Sequence, residues 1–147
     1  AYDTALSDVD NDGDLDLFVV NNRDAPILYR NDGGNSNGWL RVVAAGPGVA
    51  AGARLTLDPG QGRSVQVHEF EAGNAFLGQH EQAVHFGLGP NPGTVASLKI
   101  RWPGGQVEEL TDIAPNQTLA FRLGSPEPRE PREPPAEVCV FPPLPQR

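Results

Sequence analysis

The sequence predicts an all-β protein: a hairpin built around an acidic loop, a small antiparallel β-sandwich, and an extended Pro-rich tail. Three observations predict it. Short runs between residues 39 and 124 alternate apolar and polar side chains, the period of half-buried strands. Glycine and proline are abundant, 17 and 15 of 147 residues, which favours many turns over long helices. The tract DVDNDGDLD (8–16) sets aspartates on alternate positions and runs directly into the apolar LFVV. Composition therefore divides the chain into residues 1–38, 39–124 and 125–147.

The middle region supplies the sandwich. WLRVV is dense in aromatic and β-branched residues, and ARLTL sets Ala53, Leu55 and Leu57 on one face against Arg54 and Thr56. SVQVHEF is read with Val65 and Val67 inward, and AVHFGL with Val84, Phe86 and Leu88 inward. SLKIRW sets Leu98, Ile100 and Trp102 against Lys99 and Arg101, and TLAFRL sets Leu119, Phe121 and Leu123 against Ala120 and Arg122. These six or so strands are expected to be antiparallel with one face buried. DPGQG (58–62) and WPGG (102–105) carry hairpin chemistry, whereas GPNPG (89–93) reads as a looser connection because its prolines lack N–H donors. Trp39 and Trp102 are both expected in the core.

The tail, SPEPREPREPPAEVCVFPPLPQR, alternates proline with charge and is expected to be extended and solvated. Its last part, VCVFPPLP, is apolar enough to add along a strand edge or fill a partner's groove. Cys139 is the chain's one cysteine, which excludes an internal disulfide and is read as an inert tail thiol.

Charge bounds the function. A formal net charge of -8 argues against non-specific nucleic-acid binding and against docking on anionic membranes. No apolar run approaches the roughly 20 residues of a spanning helix, so no membrane insertion is expected. The opening AYDTALSD is no signal peptide, so export would need a signal removed or lying upstream.

Alternate aspartates repel one another unless a cation neutralises them. A hard divalent ion takes six to eight oxygens at about 2.3–2.6 Å. Side chains at loop positions 1, 3 and 5, the carbonyl at 7 and a carboxylate at 9 supply them: Asp8, Asp10, Asp12, Asp14 and Asp16. Gly13 stands at position 6, where the turn is sharp. All-oxygen ligation disfavours zinc and copper, and magnesium keeps its waters, so Ca2+ is the expected cofactor. An EF-hand is excluded, because position 12 is Val19, inside a strand pattern, where that loop needs Glu before a helix.

These residues resemble the FG-GAP/VCBS type of repeat of integrin-like β-propellers, whose DxDxDGxxD precedes a hydrophobic strand. VNNRDAPILYRNDGG is similar to the next strand of such a unit. The resemblance implies four-stranded blades around an axis, yet only about one partial unit is present and no second DxDxDG occurs. Residues 39–123 resemble the ASPIC/UnbV domain through NGWLRV, the Gly52-Ala53-Arg54 strand start, FEAGNAFLGQHEQAVHFGLG, and LKIRWPGGQVEEL with APNQTLAF. Gly78 stands where a serine is usual, and VAAGPGVAAGA lacks an Asn-rich turn. That domain follows such repeats in the cartilage acidic protein family and in exported bacterial proteins. The resemblance implies an extracellular or periplasmic adhesion or assembly module. It would be the C-terminal part of a larger protein or a subunit of an envelope complex or filament. Its partners would be proteins or upstream propeller blades.

No catalytic constellation is legible. His68, His80 and His85 lack zinc spacing and read as structural, no G-x-S-x-G elbow or phosphate loop occurs, and adjacent Glu108 and Glu109 must point to opposite strand faces. The chain is expected to be non-enzymatic. A carbohydrate-binding module using exposed tryptophans is the alternative, and a hydrolase using the histidine region stands behind it.

Overall fold

The computed structural model describes residues 3–44, 50–73, 79–122 and 125–129. They form three sheets. The first is β1 (Asp3–Ser7), β2 (Asp16–Val20) and β3 (Ile27–Tyr29) in the order β1-β2-β3, all antiparallel. A 3₁₀ turn, Gly34–Ser36, leads to the sandwich. One sandwich sheet has the order β11-β10-β4-β7, from β4 (Gly38–Ala44), β7 (Ala83–Gly89), β10 (Gln117–Arg122) and β11 (Ser125–Arg129). Its mate has the order β6-β5-β8-β9, from β5 (Arg54–Asp58), β6 (Gln66–Glu69), β8 (Val95–Arg101) and β9 (Val107–Ile113). The all-β sandwich is as the alternation predicts, with eight strands rather than six.

The core lies between the two four-stranded sheets. Leu40, Val42, Val84, Phe86, Leu88, Leu119 and Phe121 meet Leu55, Leu57, Leu98, Ile100, Trp102 and Ile113 across it. Both expected hairpins close. Gly60 N–H donates to the Asp58 carboxylate at 2.8 Å in one. In the other, Gly105 N–H donates to the Trp102 carbonyl at 2.9 Å, with Gly105 at φ 87°. GPNPG carries the chain from β7 in one sheet to β8 in the other, hence its looser form.

Four expectations are corrected. Strand β10 pairs with β4 in parallel, Gln117 beside Leu40 through Phe121 beside Ala44. The chain leaves β4's sheet for β5 and β6, returns to it at β7, leaves again for β8 and β9 and comes back at β10, and so long a connection between β4 and β10 permits either direction. Val65 and Val67 face outward, because β6 pairs Leu55 with His68 and Leu57 with Gln66, turning the polar residues toward the core rim. Gln66 there donates to the Gly87 carbonyl at 2.8 Å, tying one sheet's edge to the other's. Trp39 points away from the core, since Leu40 and Val42 of β4 face inward. Residues 125–129, assigned to a solvated tail, pair with β10 as an edge strand. Cys139, the VCVFPPLP segment, Leu123 and the centre of the FEAGNAFLGQ turn lie outside the described residues.

Candidate metal centre

Asp8 follows β1 directly and Asp16 opens β2, so the hairpin register, Ser7 opposite Asp16, brings the two ends of the acidic loop together. Asp8 accepts the Asp12 and Gly13 N–H groups at 3.1 and 3.2 Å, curling the loop back on its first residue. Asn11 and Gly13 take positive φ, 57° and 99°, to complete the curl. Asp16 accepts the Val9 N–H at 2.9 Å with one oxygen and the Asn31 N–H at 2.9 Å with the other. Asp14 accepts the Gly34 N–H at 2.9 Å, and Asp12 the Asp14 N–H at 3.1 Å.

Asp8, Asp10 and Asp16 each offer a carboxylate oxygen within 4.8 Å of the other two. Two oxygens bound to one calcium at about 2.3–2.6 Å stand at most about 5 Å apart, so the group fits such an ion. Asp8 and Asp16 are buried and Asp10 is exposed. The side chains of Asp12 and Asp14 are not in this trio; Asp12 accepts the Asp14 N–H within the loop and Asp14 accepts the Gly34 N–H from beyond it. Burial raises the Asp8 pKa, opposed by the Gly13 N–H and by the positive charge of Arg41. A cation beside Asp8 would remove that cost of burying charge.

Two supports of the loop were not legible as such. Asn31 and Gly34 belong to RNDGG, whose backbone donors hold Asp16 and Asp14. The tract reads as a turn by composition, but its contact with the loop spans 15 and 20 residues. Arg30 pairs with Asp32 and stands 3.9 Å from Asp10.

The loop rests on the sandwich. His85 Nε2 donates to the Gly13 carbonyl at 2.8 Å, and His80 Nδ1 accepts the Leu6 N–H at 3.1 Å. His68 stands edge-on to Phe86 at the core rim. A groove of about 590 Å³ runs along the junction, lined by Leu6, Arg41, Arg54, His68, Glu81 and His85 among others. Among the described residues no helix is long and apolar enough to cross a membrane.

The model of the family described as ASPIC and UnbV matches residues 45–128. The chain belongs to the ASPIC and UnbV family. The match begins after β4 and ends within β11, so it covers β5–β10 whole and shifts both ends of the expected 39–123 span toward the C-terminus. The chain is also similar to cartilage acidic protein 1 of Xenopus tropicalis, 30% identical over 108 residues, and of Mus musculus, 31% identical over 107 residues. Those alignments take in 70% and 69% of this chain but 16% of each relative's length. This ASPIC and UnbV chain thus spans about a sixth of the curated relatives that it matches.

Proposed function

We propose that this chain is a calcium-clamped assembly module without catalytic activity, working outside the cytoplasm as a portion of a longer protein. The observation that carries the calcium reading is the convergence of Asp8, Asp10 and Asp16 oxygens within 4.8 Å. Calcium bound there neutralises three clustered carboxylates and fixes the ends of the hairpin. Excess calcium is expected to raise the melting temperature of the full chain by mass action, and a chelator to reverse it. Identical melts under both conditions would remove calcium from the proposal.

The assembly reading is supported by a second observation. Both faces of the β1-β2-β3 sheet carry apolar side chains. The register puts Phe18, Val20 and Leu28 on one face and Leu6, Ile27 and Tyr29 on the other, and all six are exposed. A sheet with two apolar faces suits the middle of a stack of sheets. This agrees with the FG-GAP/VCBS resemblance, in which neighbouring blades would cover both faces, and with the short share of the relatives' length. The names of those relatives, cartilage acidic protein 1, favour an exported setting with protein partners.

The glycan reading loses its platform: Trp102 is 4% exposed in the core, and the Trp39 ring lies against the aspartate loop. The hydrolase reading gains no support, because His80 and His85 are each engaged with hairpin backbone.

A further inference from the structure

The outward face of β4 and β7 is a seat for the acidic loop. Register places Arg41 opposite His85, with Trp39 on the same face two pairs along. The Trp39 and His85 rings lie nearly parallel, 15° apart with centroids at 6.1 Å. Gly13 sits against that stack so closely that a Cβ would lie 1.9 Å from the indole Nε1. His85 Nε2 donates to the Gly13 carbonyl at 2.8 Å, and Arg41 reaches the Asn11 side-chain oxygen at 3.4 Å.

The upstream end of the loop is held as well. Leu6 lies on β1, an edge strand, and its N–H and carbonyl bond outward: the N–H to His80 Nδ1 at 3.1 Å, the carbonyl to the Glu81 N–H at 3.2 Å. The Ser7 hydroxyl donates to Glu81, which also pairs with Arg41. Residues 8–12 therefore run between two anchor points, 6–7 and 13. Each is fixed by sandwich residues more than 70 positions away in the chain.

From this arrangement we infer that Trp39 and His85 are positioning residues of the cation site. The sandwich holds both ends of the loop so that Asp8, Asp10 and Asp16 converge, and cation binding in turn tightens the hairpin on the sandwich. The inference rests on the calcium reading above. Coupling between two such events is reciprocal, and its usual size corresponds to a 5- to 150-fold change in affinity. The His85 contact needs an N–H donor aimed at the Gly13 carbonyl, which an amide side chain can also supply.

The test is calorimetric titration of the full chain with calcium alone, on wild type, His85→Ala, His85→Gln and Trp39→Phe. Hydrogen exchange on β5 and β8 checks in parallel that the sandwich core is intact. Binding weakened at least fivefold by His85→Ala, and recovered to within twofold by the amide donor of His85→Gln, is the expected result. Calcium should also slow exchange at 80–81 in wild type, and less so in His85→Ala. Equal affinity in wild type and His85→Ala would overturn the inference and leave the calcium reading standing. If His85→Ala loses its core protection, Trp39→Phe decides by the same fivefold criterion. Absence of calcium binding by wild type would overturn the calcium reading, and this inference with it.

Discussion

At the residue scale, the acidic loop separates groups that shape it from groups left to face a cation. Asp16 is 2% exposed and takes a backbone N–H on each oxygen. Asp16→Asn would turn an amide NH₂ toward one of those donors, leaving a buried donor unmatched at about 1–3 kcal/mol. It is expected to destabilise the fold even in chelator, as read by urea denaturation. Asp10 is exposed and lies beside Arg30 at 3.9 Å, so Asp10→Asn should leave the chelator melt within about 0.5 kcal/mol of wild type. It should weaken calcium affinity in a titration. Calcium affinity unchanged by Asp10→Asn would mean that Asp10 is no part of the site. Gly13 is constrained twice, by φ 99° and by the indole against its Cα. Gly13→Ala is expected to cost about 2 kcal/mol or more through backbone strain and displaced packing. A melt unchanged by that substitution would show that the loop is free to move off Trp39.

At the element scale, legibility tracked how far a strand's own residues decide its orientation. In β5, and in β7 and β8 over residues 84–88 and 98–101, large apolar residues alternate with polar or small ones, so alternation alone gave the inward residues. It failed at β6, where valines alternate with Gln66 and His68. There the choice falls to pairing: β5 sets the register, and at an edge strand polar side chains on the rim side can reach the Gly87 carbonyl or a ring edge. It failed at Trp39 because WLRVV has large apolar groups on both faces, and what covers the outer one comes from residue 13. The parallel β4–β10 pair was illegible for a related reason: Asn116 bonds both backbone groups of Trp39, at 2.7 and 3.1 Å, across 77 residues. The two faces also make opposite expectations for β6 and β7. Val67 is 45% exposed, so Val67→Thr should shift stability by no more than about 0.5 kcal/mol. Phe86 is 0% exposed among core neighbours, and Phe86→Ala should cost about 3–5 kcal/mol in denaturant unfolding. A large loss at Val67 would return β6 to the inward-valine register.

At the scale of the whole molecule, the sandwich is closed and the hairpin sheet is not. The sandwich buries its core on both sides, and Gln66 and Arg63 tie the edges of β6 and β7 by reaching the Gly87, Leu88, Pro90 and Asn91 carbonyls. At the other side, β11 carries prolines at alternate positions 126 and 128, which leaves an outer edge short of N–H donors. The β1-β2-β3 sheet has the opposite character: six large apolar residues are exposed over its two faces, and β3 is an edge strand, paired on one side among the described residues. Contiguous apolar surface of this kind is covered by partners or drives association. The 147-residue chain alone is therefore expected to bind a hydrophobic dye and to gain mass with concentration in light scattering. Substituting Phe18→Ser with Leu28→Ser on one face, or Ile27→Ser with Tyr29→Ser on the other, should each lower dye binding in part; the four changes together should abolish self-association while the sandwich melt persists. If the chain is a portion of a longer protein, as proposed, that longer protein should bind less dye per molecule than the 147-residue chain, because neighbouring sheets would cover these faces. Equal dye binding by the long and short chains, with a monodisperse mass for both, would mean that the two faces are content in water and that the assembly proposal has lost its basis.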